Sequence, residues 1–132
     1  MIHWSTKLLG LPWVPGGRTE KEMDCWGLLM RVYKEQLGIS LPEHKNIDAT
    51  RVLEYSGAIR KGMEDWELLE KPEHLCGVAL SRSKKIHHVG VYLENDGGLI
   101  LHCHEESGVI IQTPREMAKL GWRKIEYYGY SH

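Results

Sequence analysis

The sequence predicts an α+β fold, helices first and then an antiparallel sheet, on three observations. Residues 25–38 carry apolar side chains at helical spacing: Trp26, Leu29, Met30, Tyr33 and Leu37. After Pro72 the character changes to short β-branched or aromatic runs separated by turn residues. Two of those runs, "HHVGVYLE" and "LILHCHE", flank the turn "ENDGG", so sequential neighbours pair as a hairpin. At 132 residues and 42% hydrophobic, the chain is expected to form one domain, 1–132, with a real core.

The elements follow in order. A short helix is expected over Ile2–Leu9, then a loop, "GLPWVPGGRTEKEM", broken by prolines and glycines. Asp24 is a good N-cap for the main helix, because its carboxylate can accept from a first-turn amide. Arg31, Lys34, Glu35 and Gln36 fill the polar face, and Gly38 sits where a C-terminal cap belongs. A second helix is expected from Asp48, with Ala49, Val52, Leu53 and Ile59 as its apolar side and Gly62 near its end. The strands are then "LCGVALS", "HHVGVYLE", "LILHCHE", "GVIIQ" and "WRKIEYYGY". Between the last two, Thr113 caps a short helix that has Pro114 at its first position.

Composition excludes several classes of function. The net charge is −1 and no lysine or arginine run forms a phosphate-binding stripe, so nucleic acid is not an expected partner. The apolar runs are far shorter than a membrane span. "MIHWSTKLLGLPWVPGG" lacks a basic start and a continuous apolar stretch, so no signal peptide is expected and synthesis is expected in a cytoplasm. Three cysteines, an odd number without framework spacing, argue against a disulfide-stapled domain.

Cys25 takes the first helical position after the Asp24 cap. Unpaired amides and the positive end of the helix dipole favour a thiolate there, and the thiolate is the nucleophile. The bland alternative is a small core cysteine. A nucleophilic cysteine needs a base, and the base needs an orienting group. Of eight histidines, His3, His44, His74 and His132 fall in loops or at a terminus and are expected to be solvated. His87, His88, His102 and His104 flank the hairpin. A three-residue loop of Asn95, Asp96 and Gly97 suits a type I turn closed by a left-handed glycine. That register pairs Gly90 with His102 and His88 with His104, so His88 and His102 are diagonal neighbours on one face. His87 and Cys103 point to the other face. The register does not choose between His102 and His104, which share a face. Neither CxxC nor HExxH spacing is present, so no metal is expected.

Taken together, "DCWGLL" with a helix ending "GISLP", then "HHVGVYL", then "LHCHEESGVII" resembles the NlpC family of cell-wall cysteine peptidases. The resemblance runs from about Pro12 to Tyr130. It is closest to the phage tail-tip branch, where a tryptophan commonly follows the cysteine. It implies a papain-like NlpC fold, with N-terminal helices packed on a central antiparallel sheet, and cleavage of peptidoglycan stem peptides, most often between D-glutamate and a diamino acid. It implies Cys25 as nucleophile, His88 as base and His102 as third residue, with no cofactor. Trp13, Asp24 and Trp26 are oxyanion or substrate-binding candidates; Trp13 stands where family members often have a tyrosine. Two further departures are Glu22, where a small residue is usual, and "LCGVALS", which lacks the Gly-Asp that often opens that strand. The resemblance implies a tail-tip enzyme carried in a phage or prophage virion, with other tail-tip proteins as partners. The alternatives are a secreted toxin or lysis enzyme of the same chemistry, or a catalytically weak structural tail subunit.

Overall fold

The computed structural model describes residues 3–42, 65–82 and 88–130. The chain opens on a 3-10 turn, Trp4–Leu8, tighter and shorter than the helix expected there. His3 caps it, its Nδ1 accepting from the Ser5 amide at 3.2 Å, so this histidine has a structural bond. Helix α1, Cys25–Val32, continues as one π-helical turn, Tyr33–Leu37. Gly38 ends it at φ 69°, the left-handed conformation expected of a glycine cap, and its amide donates back to the carbonyls of Tyr33 and Lys34. The helix expected from Asp48 to Gly62 lies outside the described residues.

The strands are β1 (Trp66–Leu69), β2 (Gly77–Ser81), β3 (His88–Leu93), β4 (Leu99–His104), β5 (Gly108–Gln112) and β6 (Lys124–Tyr130). They form one sheet of six strands in the order β1-β6-β2-β3-β4-β5, and each pairing is antiparallel. Helix α2, Pro114–Lys119, joins β5 to β6. Thr113 caps it as expected, and Glu116 completes a reciprocal capping box with the Thr113 amide. The β3–β4 register pairs Gly90 with His102 and Leu93 with Leu99, as the turn length predicts. Left-handed backbone starts one residue earlier than a type I turn with a closing glycine requires, at Asp96 (φ 49°) as well as Gly97 (φ 84°). Aspartate tolerates that region because its short side chain bonds locally.

Strand β1 is not legible in the sequence. Only Trp66 of its four residues is buried, so "WELL" has no alternation to read. Tertiary packing makes the strand. Trp66 lies 5.3 Å from the Tyr33 ring and 5.0 Å from the Tyr130 ring. Its indole also fills the space over Gly77, where a Cβ would stand 2.8 Å from Trp66 Cζ3.

The sheet is covered on both faces. Leu28, Leu29 and Val32 of α1 pack with Val89, Val91, Leu93, Leu101, Cys103 and Val109 on one face. Tyr92, Ile100, Val78 and Leu80 pack with Met117 of α2 and with Trp122 on the other. Alternation along β3 and β4 therefore divides every residue between an α1 face and an α2 face.

A strap holds the end of α1 to the sheet. Tyr33 donates its hydroxyl to the Leu75 carbonyl at 2.6 Å, and the Leu75 amide donates to the Tyr92 carbonyl at 2.8 Å. Leu75 sits at φ 67°, a strained region for a γ-branched residue, so its neighbours over-determine it. Tyr33→Phe should lower unfolding free energy by about 1–2 kcal/mol, because a buried carbonyl loses its partner. Urea denaturation measures this; a variant as stable as the parent would show that the hydroxyl does not hold the strap.

Candidate active site

The mouth of α1 is built around one carboxylate. Asp24 Oδ1 accepts from the Gly27 amide at 2.7 Å and from Arg18 Nη1 at 2.7 Å, and Oδ2 accepts from the Gly16 amide at 3.2 Å. Asp24 is therefore a full N-cap, as its position predicted. Gly27 is required by packing: a Cβ there would stand 2.5 Å from the Gly17 carbonyl oxygen. The loop that brings Gly16 and Gly17 to the helix is tied at its other end to the sheet. The Gly10 amide donates to the Val109 carbonyl and the Val109 amide donates to the Leu11 carbonyl, each at 2.9 Å. Between these ends, the Met23 amide donates to Pro12 and the Val14 amide to Met23. One loop thus joins the outer edge of β5 to the cysteine helix.

Cys25 stands at the first position of α1 and is 1% exposed. Below it Cys103 donates its thiol to the Met23 carbonyl at 3.3 Å. Burial first, and then the proximity of Cys25 and Asp24, push the Cys103 thiol up to about 12. Two of the three binding candidates are committed to structure. The Asp24 carboxylate is the cap, and Trp26, buried, donates its indole N–H to the Pro42 carbonyl at 3.0 Å. Trp13 is half-buried against the α1-side core and bridges to Met23.

The histidines form the second part. His88 Nε2 lies 2.9 Å from His102 Nδ1, and His102 Nε2 lies 2.9 Å from Gln112 Oε1. The row is a diagonal across three strands. Gly90 is opposite His102, and His102 is opposite Ile110, so His88 and Gln112 are the diagonal neighbours of His102 on the two sides. Gly90 leaves room for it: a Cβ there would stand 3.1 Å from His102 Cβ. The two rings that the register placed on one face bond differently. His102 holds His88, while His104 Nδ1 accepts from the Glu106 amide at 3.2 Å. Gln112 escaped the sequence reading. Extending the hairpin register through the "EES" turn to β5 would have placed it beside His102.

Trp122 stacks on His88 at 5.2 Å and 19°, and the Arg82 guanidinium carbon lies 4.1 Å over the Trp122 ring. Both inner histidines are buried, at 6% exposure for His88 and 1% for His102. Burial holds the His88 imidazole well below its ordinary range, and His102, His104 and Arg82 push the same way. Burial lowers His102 to about 4, against an opposing pull from the Gln112 bond. Both rings are neutral at pH 7, so an imidazolium waiting beside the cysteine is disfavoured in the resting protein.

The two parts lie at one end of the sheet, where β3 begins and β4 ends, on different faces. Cys103 faces α1 and Cys25, while its neighbours His102 and His104 face α2 and Trp122. The structure bonds His88, His102 and Gln112 into one row and sets Cys25 at the same sheet end on its α1 face.

Neutral buried histidines make stability depend on pH. Their folded pKa lies below the unfolded value near 6.5, so the unfolded chain takes up protons that the folded chain refuses. Stability is therefore full above pH 6.5 and falls as pH drops from about 6.5 toward 4. Between pH 7 and 5 the loss should be about 2 kcal/mol per histidine. His102→Gln should lose less over the same interval, measured by urea titration at both pH values; equal losses would rule out this origin.

The sequence model of the NlpC/P60 family matches residues 10–125. A solved structure similar to this chain is the crystal structure of the NlpC/p60 domain of the peptidoglycan hydrolase SagA. Its TM-score is 0.61 at 17% identity, with 97% of this chain and 92% of that chain covered, which shows a shared fold. No curated protein matches the chain in sequence. A capped cysteine helix packed on an antiparallel sheet is the papain-like architecture that the motifs implied, and with the match over residues 10–125 the chain belongs to the NlpC/P60 family.

Proposed function

We propose that this chain is a cysteine peptidase that cleaves stem peptides of peptidoglycan, with Cys25 as nucleophile, His88 as base and His102 as the residue that orients the base. The observation that carries the reading is the buried, bonded His88–His102 pair at the sheet end where the mouth of α1 is anchored. Family membership supports it, and so does the relative whose title names a peptidoglycan hydrolase.

The burial of both groups sets the order of events. The resting imidazole is neutral, because desolvation opposes charge on His88. His88 takes the thiol proton as sulfur attacks the scissile carbonyl. Backbone amides of the first turn of α1 and the Trp13 indole N–H hold the oxyanion. The imidazolium then protonates the leaving amine, and a thioester remains on Cys25. Water, deprotonated by His88, releases the acid and restores the thiol. His102 lends the imidazolium a neutral hydrogen bond, weaker support than a carboxylate would give. The bond cleaved is the one between D-glutamate and the diamino acid. The enzyme is carried in a phage or prophage tail tip, on the resemblance of "DCWG" to that branch.

Purified peptidoglycan incubated with the chain should yield fragments with a new amine on the diamino acid and a new D-glutamyl carboxylate. Cys25→Ser and His88→Ala should each lower the rate by roughly a thousandfold or more. Intact stem peptides after prolonged incubation would end the peptidase reading. Alkylation adds a control inside the molecule. Burial raises the thiols of Cys76 and Cys103, so Cys25 should label first near neutral pH. Equal labelling of all three would favour a structural tail subunit. Purified virions should contain the chain and lose wall penetration with Cys25→Ser; a secreted toxin would be absent from them.

A further inference from the structure

A neutral imidazole carries one N–H and one bare nitrogen, and an amide oxygen only accepts. Those two rules, applied along the bonded row with the Gln112 oxygen facing His102, leave a single arrangement of protons. Gln112 Oε1 lies 2.9 Å from His102 Nε2, so His102 carries its proton on Nε2 and its Nδ1 is bare. That bare Nδ1 lies 2.9 Å from His88 Nε2, so His88 Nε2 must donate to it. The proton of His88 is then on Nε2, and its Nδ1 has the lone pair.

We propose that Gln112 is a positioning residue: acting through His102, it sets the tautomers of both histidines and makes His88 Nδ1 the nitrogen that accepts a proton. The role of that nitrogen as base rests on the peptidase reading; the tautomer assignment does not. Three features support it. The two rings are buried, and Gln112 is half-buried beside them, so bulk water offers the rings few other partners. Both rings are neutral at pH 7, the condition under which tautomers exist at all. The β4–β5 register brings Gln112 to the face and height of His102, and the β3–β4 register does the same for His88.

The arrangement has one alternative, its mirror. If Gln112 turned its NH2 toward His102, every proton would move to the other nitrogen. His102 Nδ1 would donate to His88 Nε2, and His88 Nδ1 would carry the hydrogen. That nitrogen could then take no proton from a thiol. A rotation of one amide group thus decides whether the base is competent, and a glutamine two residues along β5 from the partner of His102 is the control.

The test is the nitrogen spectrum of the histidines. Long-range 1H–15N correlation of the full-length, uniformly labelled chain at pH 7.5, assigned with His88→Gln and His102→Gln, reads each ring nitrogen as protonated or bare. Nε2–H with bare Nδ1 on both His88 and His102 is the expected result. Protonated Nδ1 on His88 overturns the proposal, and this measurement on the parent needs no Gln112 variant to fold. Gln112→Met removes the acceptor and should give mixed tautomers, with kcat lower by about tenfold at unchanged KM. Gln112→Glu keeps the acceptor and should keep the tautomers. Its carboxylate favours the protonated pair, so the acid limb of the rate profile should move to higher pH. Unchanged tautomers in Gln112→Met would also refute the positioning role. The expected tautomers in a chain that cleaves no peptidoglycan would remove the peptidase and leave this assignment standing; cleavage with reversed tautomers would do the opposite.

Discussion

The register of β4 against its two neighbours governs where each chemically useful side chain stands. Gly90 opposite His102, and His102 opposite Ile110, put His88, His102 and Gln112 on one diagonal and one face. The same alternation sends Cys103 to the other face, under the helix that carries Cys25. A slip of one residue would exchange the faces, burying histidines against α1 and turning the row out of bonding range. The register is protected because both faces are buried. Val91 and Leu101 belong under α1, Tyr92 and Ile100 under α2 and Trp122, and neither set tolerates exchange.

Two buried polar systems anchor the same end of that sheet, and they are electrostatically unlike. At the helix mouth the Asp24 carboxylate pairs with Arg18 and accepts from the Gly27 and Gly16 amides. Breaking a buried pair of that kind leaves a charge without compensation, so such a site holds its geometry closely. The histidine row is neutral and satisfied by hydrogen bonds alone, under a layer of Trp122 and Arg82. The Gly10–Arg18 loop spans the distance between them, bonded to β5 at Val109 and to the helix at Asp24. The cysteine helix is therefore fixed relative to the strand edge that carries Gln112.

That division of labour suits an acyl-transfer enzyme. In the proposed reaction, charge develops on the sulfur, the base and the oxyanion, and the burden falls on preorganised donors and on the tautomer of the base. Two of the three residues singled out beside the triad, Asp24 and Trp26, build the helix mouth. Trp13 keeps partial exposure at the same loop.

Local chemistry was legible residue by residue. Asp24 at the N-cap, Gly38 at the C-cap, Thr113 and Pro114 at the start of α2, and the Asn95–Gly97 turn each act over a few residues through bonds that depend on neighbours in the chain. The hairpin register followed from the turn length, and with it the diagonal of His88 and His102. What stayed hidden depends on contacts between distant segments. Strand β1 exists because Trp66 packs on Tyr33, Gly77 and Tyr130, and "WELL" carries no period of its own. Gln112 joins the row only when a second register is added to the first. The choice of His102 over His104 needed the bond itself, because both rings leave the same face of one strand. The neutral state of the histidines comes first from burial, which only the folded sheet creates. The sequence by itself determined which side chains could do chemistry and at what spacing along the strands. The tertiary structure decided their charge and hydrogen bonding, because desolvation and partnership belong to the packed interior and not to any stretch of chain.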